Sequence, residues 1–147
     1  MQELFKKTEF ALYNYKDIDF KIKSIDIDIQ MLENDITLKA ISYEEKSGPT
    51  NAFNSSVENE VIRRDEEVQQ HIEKLKRDKL LFMSRKMKIE NALNCLEPEE
   101  LKLVELRYFT KPRKSWAHIG IELNKYADSC CHARSKIINK LSDYIFN

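Results

Sequence analysis

The sequence predicts an all-α protein built from two long amphipathic helices of coiled-coil character followed by a C-terminal group of short helices. Three observations point there. Only two glycines and three prolines interrupt 147 residues, so most of the chain carries no helix breaker. Apolar residues recur every seven positions through two long stretches, a period that a helix turns to one face. Beyond residue 96 that repeat gives way to shorter segments punctuated by Pro98, Pro112 and a polar turn at Asn124.

The first element spans residues 1–42. Leu4, Ala11, Ile18, Ile25 and Leu32 step by seven, and Thr8, Tyr15, Ile22, Ile29 and Ile36 supply the interleaved series of an a/d pattern. One helix about 60 Å long is expected, with Lys16, Asp17, Asp19, Lys21, Lys23, Asp26 and Asp28 on its solvated face. The isoleucine and aspartate alternation at 25–29 imitates a strand, but the seven-residue spacing continues on both sides of it. Ile18, Ile22, Ile25, Ile29 and Leu32 are the expected oligomerisation residues.

Residues 43–56 read as a linker, because Pro49 forbids helix continuation and disfavours helical backbone at Gly48. Ser55 and Glu58 have capping-box spacing for a second long helix over 57–96. Val61, Val68, Leu75, Phe82, Ile89 and Leu96 form its stripe, broadened by Val57, Ile72 and Leu93. The two seams are buried equally well in an antiparallel hairpin or between copies, and periodicity does not choose between these; a homo-oligomer is expected.

Residues 97–147 are the expected functional domain. Pro98 suits a first helical position, and Leu101, Val104, Leu106 and Tyr108 give a core face to a helix reaching about Phe109. The loop Lys111-Pro112-Arg113-Lys114 is a candidate phosphate clamp. Ser115 is placed to cap a helix whose Trp116, Ile119 and Leu123 share a face with Gly120 beside them. After a polar turn from Asn124, Asp128 or Ser129 is expected to cap a last helix reaching about Ile145. Cys130, Ala133, Ile137, Leu141 and Tyr144 or Ile145 make its inward stripe, leaving Ser129, Cys131, His132, Arg134, Ser135 and Lys136 outward near its start. Helix, short turn and helix with a polar, cationic second start is the composition of a helix-turn-helix, whose recognition helix offers donors to base edges.

Net charge is zero overall, yet it is segregated: residues 1–100 carry 16 Lys/Arg against 21 Asp/Glu, and residues 101–147 carry 9 against 4. The basic part coincides with the expected helix-turn-helix. Cys95, Cys130 and Cys131 have neither zinc-ligand nor disulfide-framework spacing, and His71, His118 and His132 stand apart, so no metal is expected and a reducing cytoplasm fits. The start of the chain lacks a signal-peptide stretch, and the longest apolar run, at 80–83, is too short for a bilayer, so no membrane partner is expected. Neither a nucleophile-and-base constellation nor a glycine-rich phosphate loop is present; an enzyme and a cofactor are not expected.

The string Leu106-Arg107-Tyr108-Phe109, followed by Lys114-Ser115-Trp116-Ala117-His118-Ile119-Gly120-Ile121-Glu122-Leu123-Asn124, resembles region 4 of sigma-70-type factors. With Ser47-Gly48-Pro49, Val57-Glu58 and Ile62-Arg63-Arg64, the layout is similar to phage late-transcription regulators of the ArpU and RinA type. The resemblance implies a regulator that binds double-stranded promoter DNA in a bacterial host cell and contacts RNA polymerase. Two departures stand out: Gly120 replaces the family's usual alanine, and the turn is one residue longer. A DNA-packaging recognition subunit of the small-terminase kind and a coiled-coil adaptor without DNA binding are the alternatives.

Overall fold

Asn14 breaks the first long helix. In the computed structural model, which describes the backbone of residues 1–45 and 55–147 and the side chains of 1–35 and 59–147, α1 (Gln2–Tyr13) ends there. The Asn14 amide nitrogen Nδ2 donates to the Phe10 carbonyl at 2.7 Å, and its backbone N–H donates to the same carbonyl at 3.2 Å. A short polar side chain that reaches its own backbone competes with the helical ladder. A single 3-10 turn, Tyr15–Asp17, then leads into α2 (Ile18–Glu45). The expected single helix over 1–42 is therefore two helices, and α1 buries Thr8 and Leu12, with Leu4 left exposed.

The chain divides into two compact units, residues 20–82 and residues 1–19 with 83–147. In the first of these, α2 and α3 (Ser55–Leu93) run antiparallel: the Lys21 ammonium lies 5.4 Å from the Phe82 ring centroid and Lys79 pairs with Asp26, so advance along one helix is retreat along the other. Ile29 and Ile72 are buried, while Ile22, Ile25 and Leu32 are half-buried. The hairpin alternative is thus the one realised, and the seam expected to join copies is occupied within one chain. Ile18 is likewise buried, in the other unit. Residues 43–45 and 55–56 of the expected linker are helical, as the end of α2 and the start of α3, while residues 46–54 and the side chains of Ile36, Ser55 and Glu58 lie outside the described residues.

The second unit is the head. Glu97 precedes α4 (Pro98–Val104), and its backbone N–H donates to the Glu100 carboxylate at 3.0 Å, filling a donor that the helix start leaves free. A π-helical turn, Glu105–Phe109, follows, then α5 (Trp116–Leu123) and α6 (Ala127–Phe146). The last helix packs against α5, α4 and α1 at once. Leu12, Ile89, Ala92, Val104, Tyr108, Ile119, Cys130, Ile137, Ile138 and Leu141 are buried between these elements. The Tyr15 hydroxyl donates to Glu90 at 2.8 Å, and burial together with that carboxylate pushes its ionisation up to about 12. The described residues are helical throughout their regular structure, and no helix among them is long and apolar enough to cross a membrane.

Candidate nucleic-acid interface

The basic loop is held on both flanks before it offers anything to a ligand. The Arg107 guanidinium donates to the Lys114 carbonyl at 2.9 Å and stacks 4.3 Å from the Trp116 centroid, while Thr110 Oγ1 donates to the Glu105 carbonyl at 3.0 Å. From the other side the segment after α1 supports it: Lys111 pairs with Asp17 at 3.0 Å, Arg113 stacks 4.1 Å over Tyr13, and Tyr15 packs 4.9 Å from Phe109. Lys111 and Arg113 remain exposed. Lys114 pairs with Glu122, whose carboxyl this partner holds below its usual range.

Ser115 caps α5, its hydroxyl accepting the His118 N–H at 3.3 Å. At the other end Asn124 takes a left-handed backbone, φ 54°, and the Lys125 N–H returns to the Gly120 carbonyl at 2.9 Å. Here a glycine is required. A Cβ at position 120 would lie 2.5 Å from the Lys125 carbonyl oxygen and 3.3 Å from the Ala127 nitrogen, so the turn backbone occupies the space an alanine needs. The substitution that departs from the sigma-like pattern and the tight approach of the turn are one feature.

The turn closes sooner than expected. Tyr126 is the N-cap, without a side-chain hydrogen bond, and Ala127 begins α6, so Asp128 and Ser129 lie inside the first turn and do not cap it. An aspartate there suits the positive end of the helix dipole. Asp128, Ser129, His132, Ala133 and Lys136 line one shallow depression on the outer face of α6. His132 Nδ1 lies 2.8 Å from the Asp128 carbonyl, which only accepts; the Nδ1 proton is thereby fixed and Nε2 is left to the outside. Ser129, His132 and Lys136 are exposed, and Lys136 has no ion pair among the described residues.

Three expected base readers are placed differently. Arg134 is not outward: its guanidinium donates to Glu9 of α1 at 3.4 Å and lies 5.4 Å from the Phe5 ring and 5.5 Å from the Trp116 ring. Its Nε is buried without a partner, as is that of Arg107. Ser135 is half-buried and its hydroxyl reaches back to the Cys131 carbonyl, and Cys131 itself is half-buried. The cause is α1, a second neighbour of α6 that a coiled-coil assignment takes away from it. Glu9 is the hub of that contact, accepting also from the Tyr108 hydroxyl at 2.7 Å. Burial first, and then this carboxylate, raise the Tyr108 phenol far above its ordinary ionisation range.

The same packing neutralises much of the basic tail. Lys125 pairs with Glu99, Lys140 with Glu100 and Arg134 with Glu9. The head as a whole carries 15 Lys/Arg against 12 Asp/Glu, a net of +3. Cys130 is buried, which pushes its thiol up and away from reactivity. Glu9 and Tyr13 are contacts that sequence reasoning missed; Tyr108, expected on a core face, is buried, and Arg107 stands in the motif without an assigned role. Arg134 carried a readable signal, because Cys130, Arg134, Ile137, Leu141 and Ile145 follow the three-and-four spacing of one buried stripe.

The described residues form only helices, and the chain belongs to the family described as protein of unknown function DUF722, whose model matches residues 7–143. That match runs from within α1 to near the end of α6 and so takes in both units. No curated protein and no solved structure matches the chain.

Proposed function

We propose that the head is a helix-turn-helix domain that binds double-stranded DNA, with the outer face of the α6 start in the major groove. The observation that carries this reading is the pairing of a glycine-dependent tight turn after α5 with the exposed Ser129, His132 and Lys136 on the first turns of the next helix. Donors there reach base edges and phosphates, and the likeness of 106–124 to sigma region 4 supports the same orientation. Lys111 and Arg113 flank that face as phosphate contacts. An exposed ion pair such as Lys111 with Asp17 contributes at most about 1 kcal/mol, so a phosphate displaces the carboxylate at little cost. Arg134, Ser115 and Ser135 serve the fold of the head in this reading, and Cys131 has no base-reading role. Regulation of phage or prophage transcription, with RNA polymerase as a further partner, follows from the resemblance.

The test is fluorescence anisotropy of the full chain with a mixed-sequence DNA duplex at two salt concentrations, followed by sequencing of genomic fragments that the protein retains. Affinity is expected to fall steeply with salt. Lys136→Ala and Arg113→Ala are each expected to weaken binding and to lower the salt slope by about 1. Absence of DNA binding at low salt, or unchanged slopes in both variants, would remove the reading.

A further inference from the structure

The hairpin has an apolar face that its own chain leaves open. On α2 the residues turned to α3 are Ile22, Ile25, Ile29 and Leu32, all buried or half-buried. Phe20, Ile27 and Met31 are 72%, 56% and 66% exposed. At the helical period these three fall within an arc of about 40°, roughly opposite the inward four. A surface helix ordinarily shows one apolar stripe and a polar back. One with two opposite stripes is built to lie between two neighbours, and α3 supplies one of them.

The spacing of the outer stripe is that of a second heptad seam. Phe20, Ile27 and Asn34 take d positions, and Ser24 and Met31 take a positions. Lys23 then falls at g and Asp28 at the following e, both exposed and on opposite margins of the stripe. In a parallel, in-register pair, g of one helix meets e of the next heptad on the other, five residues on, so Lys23 faces Asp28 of the second copy, twice by symmetry. In an antiparallel pair centred on Ile27, the same geometry sets Asp28 near Asp28, and Lys21, the cation that would face Asp35 there, is already turned onto the Phe82 ring of its own hairpin. Charge complementarity selects the parallel arrangement.

We propose that the Phe20, Ile27 and Met31 face binds a second copy of this chain, α2 against α2 in parallel, joining two hairpins into a two-fold symmetric layer of helices in the order α3, α2, α2, α3. The interface is distinct from the Ile18 to Leu32 seam, which stays inside each chain. Sedimentation equilibrium of the full chain across the micromolar range tests it. A dimer is expected. Ile27→Glu is expected to raise its dissociation constant by about a hundredfold or more, with helix content and melting of the monomer retained because the side chain is exposed there. Lys23→Glu and Asp28→Lys are each expected to weaken self-association about fivefold, and an equimolar mixture of the two variants to recover it, since both cross-pairs become attractive again. A monomer throughout the range, or an Ile27→Glu protein that dimerises like the unmodified chain, overturns the interface. Dissociation by Ile27→Glu with no effect of Lys23→Glu overturns the parallel arrangement.

Discussion

The head and the hairpin are both helical, yet they bury side chains very differently. Of the described buried apolar residues, only Ile29 and Ile72 belong to the hairpin; the rest, from Leu12 to Ile145, belong to the head. A two-helix hairpin has one internal interface, whereas α6 alone meets three neighbours. Among the described residues, burial within the chain is therefore concentrated in the head. The contrast also reassigns α1. It continues the seven-residue pattern of α2, but its buried Thr8 and Leu12 serve the head.

The largest effect is expected from that reassignment. Leu12 is fully buried, so Leu12→Ala should destabilise the head by about 3 kcal/mol through lost transfer energy and the cavity left behind. Urea denaturation followed by the fluorescence of Trp116, which sits in the head, reads this directly. An arm outside the head core would show almost no change at that probe. Hydrogen exchange sharpens the same comparison: amides of α6 should be protected to higher free energies than those of α2 and α3 between residues 20 and 82.

Next comes the turn. Gly120→Ala gains about 1 kcal/mol in helix propensity. Against this, the new Cβ must displace turn backbone, and overpacking of that kind costs about 1–3 kcal/mol. A net loss of head stability is expected, and a rise in melting temperature would show that the turn yields easily.

Alkaline pH should act on the head as well. The Tyr15 phenol is raised from its ordinary 10 to about 12, and that of Tyr108 further. A group whose folded value exceeds its unfolded one contributes stability that is intact below pH 10 and lost as pH climbs through the folded value. For Tyr15 the window is pH 10 to 12. The slope per group is at most about 1.4 kcal/mol per pH unit. Melting temperatures across that window should fall less steeply in Tyr108→Phe, although its starting stability is lower because Glu9 loses a hydrogen bond.

How much of this was legible follows from which forces are local. The helical class, the Ser115 cap and the inward Ile119, Cys130, Ile137 and Leu141 could be read because period and capping act within a few residues, whereas period alone left the hairpin and pairing between copies equal. The break at Asn14 could not, since asparagine occurs in helices and the heptad runs on through Ile18. The docking of α1 on α6 is a contact across more than a hundred residues, and with it went Glu9 as the partner of Arg134, although the inward stripe itself marks Arg134. In the sequence Gly120 is a departure from an expected alanine; only the position of the Lys125 carbonyl explains it.

The smallest effect belongs to the hairpin and tests its register. Lys79 and Asp26 pair with side chains 31% and 44% exposed, so water and salt screen them. A double-mutant cycle with Lys79→Ala and Asp26→Ala should return a coupling of about 0.2–1 kcal/mol that shrinks as salt is added. Zero coupling at low salt would mean that the helices slide past this register in solution. Such a shift would also carry Lys21 away from Phe82, since both contacts depend on the same antiparallel alignment. A coupling well above that range would mean a drier, tighter hairpin than two partly exposed side chains imply, and the contrast with the head would narrow accordingly.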